Sequence, residues 1–124
     1  MALNPALQSR AFRNIPRLQS CLTEDASHIP LGSKGDHVLR IQQALTVLGE
    51  VPYMLWPQFE IETRAKNYGI ATAKAVLSYK TKRKIINRSY QSSPDNIVGK
   101  MTIAALDRDM ISYERAHVLK NFSG

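Results

Sequence analysis

Two stretches of this chain repeat one pattern. Gly69-Ile-Ala-Thr72-Ala-Lys-Ala75-Val76 and Gly99-Lys-Met-Thr102-Ile-Ala-Ala105-Leu106 both read G-x-x-T-x-x-A-[V/L], thirty residues apart. Glycine permits a tight backbone turn into a helix, and threonine offers an oxygen to a free N–H of the first turn. The alanine and the branched residue then present a small-plus-large face to a core. A recurrence at this period marks a duplicated structural unit. The expectation is two equivalent helix starts, with the Thr72 and Thr102 hydroxyls each pointing back at a first turn.

A third helix is written in the run after Leu31-Gly-Ser-Lys-Gly35. Val38, Ile41, Leu45 and Leu48 recur at helical spacing with Ala44 on the same face, Asp36 is placed to cap the start, and Gly49 stops the helix. The second helix is expected over 70–86, with Ala75, Val76, Tyr79, Arg83 and Ile86 as its stripe. The last is expected over 100–110, burying Met101, Ile103, Ala104 or Ala105, and Leu106. After Asp109 the pattern weakens, leaving Ile111, Tyr113, Val118 and Leu119 to a short helix or a tail. Residues 50–68 make a connection too long for a bare loop, with Tyr53, Leu55, Trp56 and Phe59 packed on the core and room for a short helix near 60–66. No segment alternates with period two, and Ile86-Asn-Arg-Ser-Tyr90 allows at most a minor ribbon. The reading is an all-α chain. A lead-in with a short helix from Pro16 to Leu22 covers 1–30, a compact three-helix domain covers 31–107, and a C-terminal extension covers 108–124.

At 124 residues there is material for one modest core. The longest apolar runs fall far short of a membrane span. The N-terminus lacks the basic-then-apolar layout of a signal peptide. Three routes stay open: residence in the cytoplasm, export by a route that needs no signal, or a trimmed chain. Cys21 is the single cysteine, read as a packed small apolar residue, so no intramolecular disulfide forms.

Charge is uneven. Of a net +7, eight cations lie between Arg64 and Pro94 with no acid among them: Arg64, Lys66, Lys74, Lys80, Lys82, Arg83, Lys84 and Arg88. Such a surface attracts polyanions or acidic partners. The lysines of the second helix point to several sides rather than forming one reading face, which argues against nucleic acid. No catalytic constellation stands out. His28, His37 and His117 are scattered, Glu60 and Glu62 sit on an expected surface segment, and no metal-ligand spacing, phosphate loop or nucleophile elbow occurs. The chain reads as a binding protein with no cofactor, no metal and no enzymatic activity.

Taken together, three blocks resemble the peptidoglycan-binding-like domain, a three-helix module attached to bacterial wall hydrolases. They are Leu31-Gly-Ser-Lys-Gly35-Asp-His-Val38 continuing through Ile41-Gln42 and Leu45 to Leu48-Gly49, then Gly69 to Lys80, then Asp95-Asn96-Ile-Val98-Gly99 to Leu106. The family reads L-x-x-G-x-x-V-x-x-L-Q-x-x-L-x-x-L-G, then G-x-x-T-x-x-A-V-x-x-F-Q, then D-G-x-V-G-x-x-T-x-x-x-L. Lys80 stands where the family has glutamine, Asn96 where it has glycine, and the two loops flanking the second helix are enlarged. The resemblance implies recognition of bacterial peptidoglycan, glycan or stem peptide, or of another anionic wall polymer. Such a ligand asks for flat aromatics against sugar faces and cations against carboxylates. Tyr53, Trp56, Tyr68 and Tyr90, with Lys80, Lys82, Arg83 and Arg88, are the candidate ligand-binding residues around one rim; for the aromatics, anchoring loops over the core is the competing role. The alternative is a protein-interaction or delivery module: an adaptor or cargo of a secretion or phage-like injection system, or the targeting front end of a larger toxin.

Overall fold

In the computed structural model, which describes residues 5–86 and 93–123, helices form wherever the apolar spacing is helical, and the fold is all-α. In chain order they are α1 (Pro16–Thr23), α2 (Asp36–Val47), α3 (Trp56–Arg64), α4 (Ile70–Arg83) and α5 (Lys100–Ser123), with single 3-10 turns at Asp25–Ser27 and Tyr53–Leu55. No strand occurs among the described residues, and the candidate ribbon at 86–90 lies mostly outside them.

The three expected helices are α2, α4 and α5. Val38, Ile41, Leu45, Val76, Tyr79, Val98, Ile103 and Leu106 are all buried, as the periodicity requires, while Leu48 is half-buried. Several details differ. Gly35, at φ +130°, precedes the first turn of α2, and Asp36 lies within that turn. Its carboxylate bonds Lys66 at 2.6 Å, which holds the Asp36 carboxyl below its ordinary value. Gly49 closes α2 in the left-handed region, where the Glu50 N–H reaches back to the Leu45 carbonyl. Helix α4 closes the same way at Arg83, with Lys84 rather than a glycine in the left-handed position at φ 56°. The chain then turns Ile85 into the core and leaves Ile86 half-buried. The connection after α2 holds the whole of α3, longer than the segment expected near 60–66. Helix α5 runs on well past Met110, since nothing from Lys100 to Ser123 is glycine or proline. Met101 is 52% exposed, not buried. The Val118 and Leu119 side chains lie outside the described ones.

The lead-in is a packed part of this core. Leu7, Phe12, Leu18 and Cys21 join the same buried cluster as the helices of 31–107. Burial pushes the Cys21 thiol up to about 11. Two carboxylates of α5 hold the first segment in place. Asp107 accepts the backbone N–H groups of Gln8 and Ser9, both at 2.9 Å, and Glu114 accepts those of Arg10 and Ala11 at 2.8 and 3.1 Å. Helix α5 is therefore tied to the lead-in beyond Met110, as far as Glu114.

Residues 29–35 tie both repeated helix starts together. Ile29 exchanges backbone hydrogen bonds with Val98 just before Gly99, and Gly32 and Ser33 do so with Tyr68 just before Gly69. The carbonyls of Gly69 and Gly99 each accept the N–H four residues on, and Thr72 and Thr102 are both fully buried. Backbone and burial thus repeat. The polar chemistry at Thr72 departs from the expectation, because its hydroxyl donates to Glu62 at 2.8 Å instead of folding back on its own turn.

Candidate functional site

Glu62 is the residue whose role the sequence conceals. It lies one helical turn after Phe59, and the pair forms the buried side of α3. Its carboxylate caps α4 from outside. One oxygen accepts the Thr72 N–H and hydroxyl, both at 2.8 Å, and the other accepts the Ala71 N–H at 3.0 Å and the Gln58 amide at 3.1 Å. Burial alone would push this carboxyl up, but the hydrogen bonds from Thr72, Ala71 and Gln58 outweigh it and hold the value below the ordinary one. Gln42 completes the network by donating to Thr72 Oγ1 at 3.0 Å and to the Asn67 carbonyl at 2.9 Å. A Cβ at Gly69 would meet the Glu62 Cδ at 2.5 Å, so this glycine makes room for the cap. The helical spacing from Phe59 is the available signal: it puts an acid on an apolar face.

The candidate rim forms where the end of α2 meets the end of α4. Glu50 leaves the Gly49 turn with only 14% of its side chain exposed; Lys82 approaches it at 3.3 Å and Arg83 at 4.0 Å. Arg83 is held from three sides. It bonds Asp109 at 2.8 Å, and its guanidinium lies 5.2 Å above the Tyr79 ring, whose hydroxyl donates to the same Asp109 oxygen at 2.6 Å. Burial pushes the Tyr79 phenol well above its ordinary value. Beyond Glu50 the chain passes through Val51 and Pro52 into the Tyr53–Leu55 turn. Tyr53 is 87% exposed, whereas Trp56 packs its ring edge-on to Phe59 at 5.6 Å and is half-buried. Two residues, Val51 and Pro52, separate Tyr53 from Glu50, a backbone reach of at most about 10 Å. Tyr53 therefore lies within chain reach of Glu50, the acid that holds Lys82 and Arg83, and Trp56 follows at the start of α3.

Two candidates do not belong to this rim. Tyr68 is fully buried and donates its hydroxyl to the Asn96 carbonyl, so it anchors the loop before α5 and presents no face to a ligand. Lys80 is buried as well. Its ammonium bonds the Asp95 carboxylate and the Ile97 carbonyl, stapling α4 to the same loop. Arg88 and Tyr90 lie outside the described residues.

The acid-free block is also neutralised in space by acids distant in sequence. Asp36 pairs with Lys66, Asp95 with Lys80, Glu50 with Lys82, and Asp109 with Arg83. Arg64, Lys74 and Lys84 are exposed and stand outside every ion pair among the described residues. Also among these residues, no three His, Cys, Asp or Glu side chains converge on a point that suits a metal ion. No helix among them is long and apolar enough to cross a membrane. Compared with known families, curated proteins and solved structures, the chain finds no match.

Proposed function

We propose that this chain is a non-catalytic binding module for bacterial peptidoglycan, with the Glu50 rim as its contact surface. The three-block resemblance motivates the ligand class. The observation that carries the reading is Glu50, which pairs with the cations Lys82 and Arg83 and lies a short chain step before the exposed Tyr53. A sugar ring stacks on the Tyr53 face, and a stem-peptide carboxylate accepts from the Lys82 ammonium. Lys82 is the mobile cation of the two. Its side chain is 59% exposed and its bond to Glu50 is long, and an exposed pair of this kind contributes only about 0–1 kcal/mol, so exchange for a ligand carboxylate costs little. Arg83, fixed by Asp109 and Tyr79, keeps Glu50 in position.

Methyl-labelled methionine offers a direct test, because Met54 follows Tyr53 and is 88% exposed while Met110 is buried. Titration with soluble muropeptides should shift the Met54 methyl resonance, leave that of Met110 in place, and fail to shift either in the Lys82→Glu variant. An unmoved Met54 at saturating muropeptide would remove the rim from the account. One observation favours the second reading, a protein-interaction or delivery module. Tyr53, Met54 and Ile61 leave large apolar surfaces exposed on and beside the same turn.

A further inference from the structure

Arg83 borders a second feature. A cavity of about 570 Å³ lies at the start of α5, walled by Asp25, His28, Lys80, Asp95 and Lys100 among others. Another of about 400 Å³ continues along α5, between residues 83–85 and the face that carries Ala104 and Arg108. Ile85 and Met101 line both, so the two make one trench with an apolar floor.

Its charges do not cancel. Among the described residues the walls carry five cations (Lys80, Arg83, Lys84, Lys100 and Arg108) against three acids, Asp25, Asp95 and Asp109. Each acid is matched: Asp95 to Lys80, Asp25 to Lys100 at 3.2 Å, and Asp109 to Arg83. Lys84 and Arg108 remain, both exposed and outside every ion pair among the described residues. Lys84 takes the left-handed position that closes α4, directly before Ile85.

We propose that this trench docks a short acidic amphipathic helix of a partner protein. Apolar side chains of that helix rest on Ile85, Met101 and Ala104, and its carboxylates meet Lys84 and Arg108. A bare polyanion would use the two cations and leave the apolar floor wet, whereas an acidic helix satisfies both. Met101 suits such a floor because its unbranched, polarizable side chain adapts to different apolar anchors. From Met101 to Arg108 the floor runs about 10 Å along α5, two turns, which sets the length of helix it accepts. The inference is independent of the wall ligand proposed for the Glu50 rim.

The test uses the whole chain and a fluorescein-labelled helix of Glu and Leu in amphipathic order, beside a Glu/Ser peptide of equal charge. The Glu/Leu peptide should bind by anisotropy and shift the Met101 methyl resonance, with Met54 and Met110 unmoved. Lys84→Glu with Arg108→Glu should weaken binding about tenfold or more. Arg64→Glu with Lys74→Glu, the same change of net charge at exposed positions outside the trench lining, should leave it within about twofold, since distant exposed charges are screened. Equal binding of the Glu/Ser peptide would reduce the trench to a polyanion surface. A silent Met101 methyl, or equal losses in the two double variants, would overturn the proposal outright.

Discussion

Replacing Glu62 by glutamine keeps the size of the side chain and removes its charge, and the geometry around α4 sets the cost. The carboxylate accepts four hydrogen bonds, two of them from the backbone N–H groups of Ala71 and Thr72 at the start of α4. An amide has one acceptor oxygen, so its NH2 must face one of those buried N–H donors. Leaving a buried donor unmatched costs about 1–3 kcal/mol, and removing an anion from a helix start costs about 0.3–2 kcal/mol more. Glu62→Gln should therefore lose about 2–4 kcal/mol, a large share of the about 5–15 kcal/mol typical of a folded domain. The pH dependence has a definite sign. The folded-state value of Glu62 lies below the ordinary one, so the carboxylate's contribution is fully present above the unfolded value of about 4.3 and is lost as pH falls through the folded value. Urea denaturation followed by circular dichroism should show a constant gap between the two proteins near neutrality and a shrinking gap in acid. A variant within about 0.5 kcal/mol of the parent at neutral pH, or a gap unchanged by acid, would refute the capping role.

The two repeat glycines should respond oppositely. Gly69→Ala drives a Cβ to 2.5 Å from the Glu62 carboxyl carbon, whereas a Cβ at Gly99 meets nothing within 4 Å. Denaturation should show Gly69→Ala losing about 1–3 kcal/mol and Gly99→Ala unchanged or stabilised by about 0.4–1 kcal/mol; similar losses in both would mean the cap does not fill that space. Lys84→Gly relieves a left-handed residue at the end of α4 and should stabilise the chain by about 0.5–1 kcal/mol, read from the same denaturation midpoint. A loss of stability there would mean that the Lys84 side chain contributes contacts to the fold.

Much of the fold can be read in the chain because the stripes of α2, α4 and α5 follow simple helical spacing, and Gly49 is the usual residue for the end it makes. The end of α4 falls earlier than that spacing implies, for a physical cause. It depends on a lysine in a glycine conformation, and no local signal marks Lys84 apart from its neighbours. Helix α5 outruns its apolar stripe, and beyond Met110 it is Glu114 that meets backbone N–H groups of the lead-in more than a hundred residues earlier, a contact of which apolar spacing says nothing. The site is legible in part. Lys82 and Arg83 meet at Glu50, whose role depends on tertiary contact, and Tyr53 follows that acid closely in the chain. Tyr68 and Lys80 look exposed in the sequence because an aromatic or a lysine beside a loop gives no sign of a partner such as Asn96 or Asp95. The acid-free block shows the same limit: a count along the chain does not see acids that arrive from other helices.

Co-sedimentation with purified sacculi tests the central claim most directly, with the parent chain, Tyr53→Ala and Lys82→Glu compared at low and high salt. Both positions are exposed, so helical content should be the same in all three proteins. Wall binding by the Glu50 rim requires that the parent sediments, that its bound fraction falls as salt rises, and that each variant loses most of the binding. A parent chain that stays in the supernatant, or a Lys82→Glu variant that sediments as well as the parent, would contradict it.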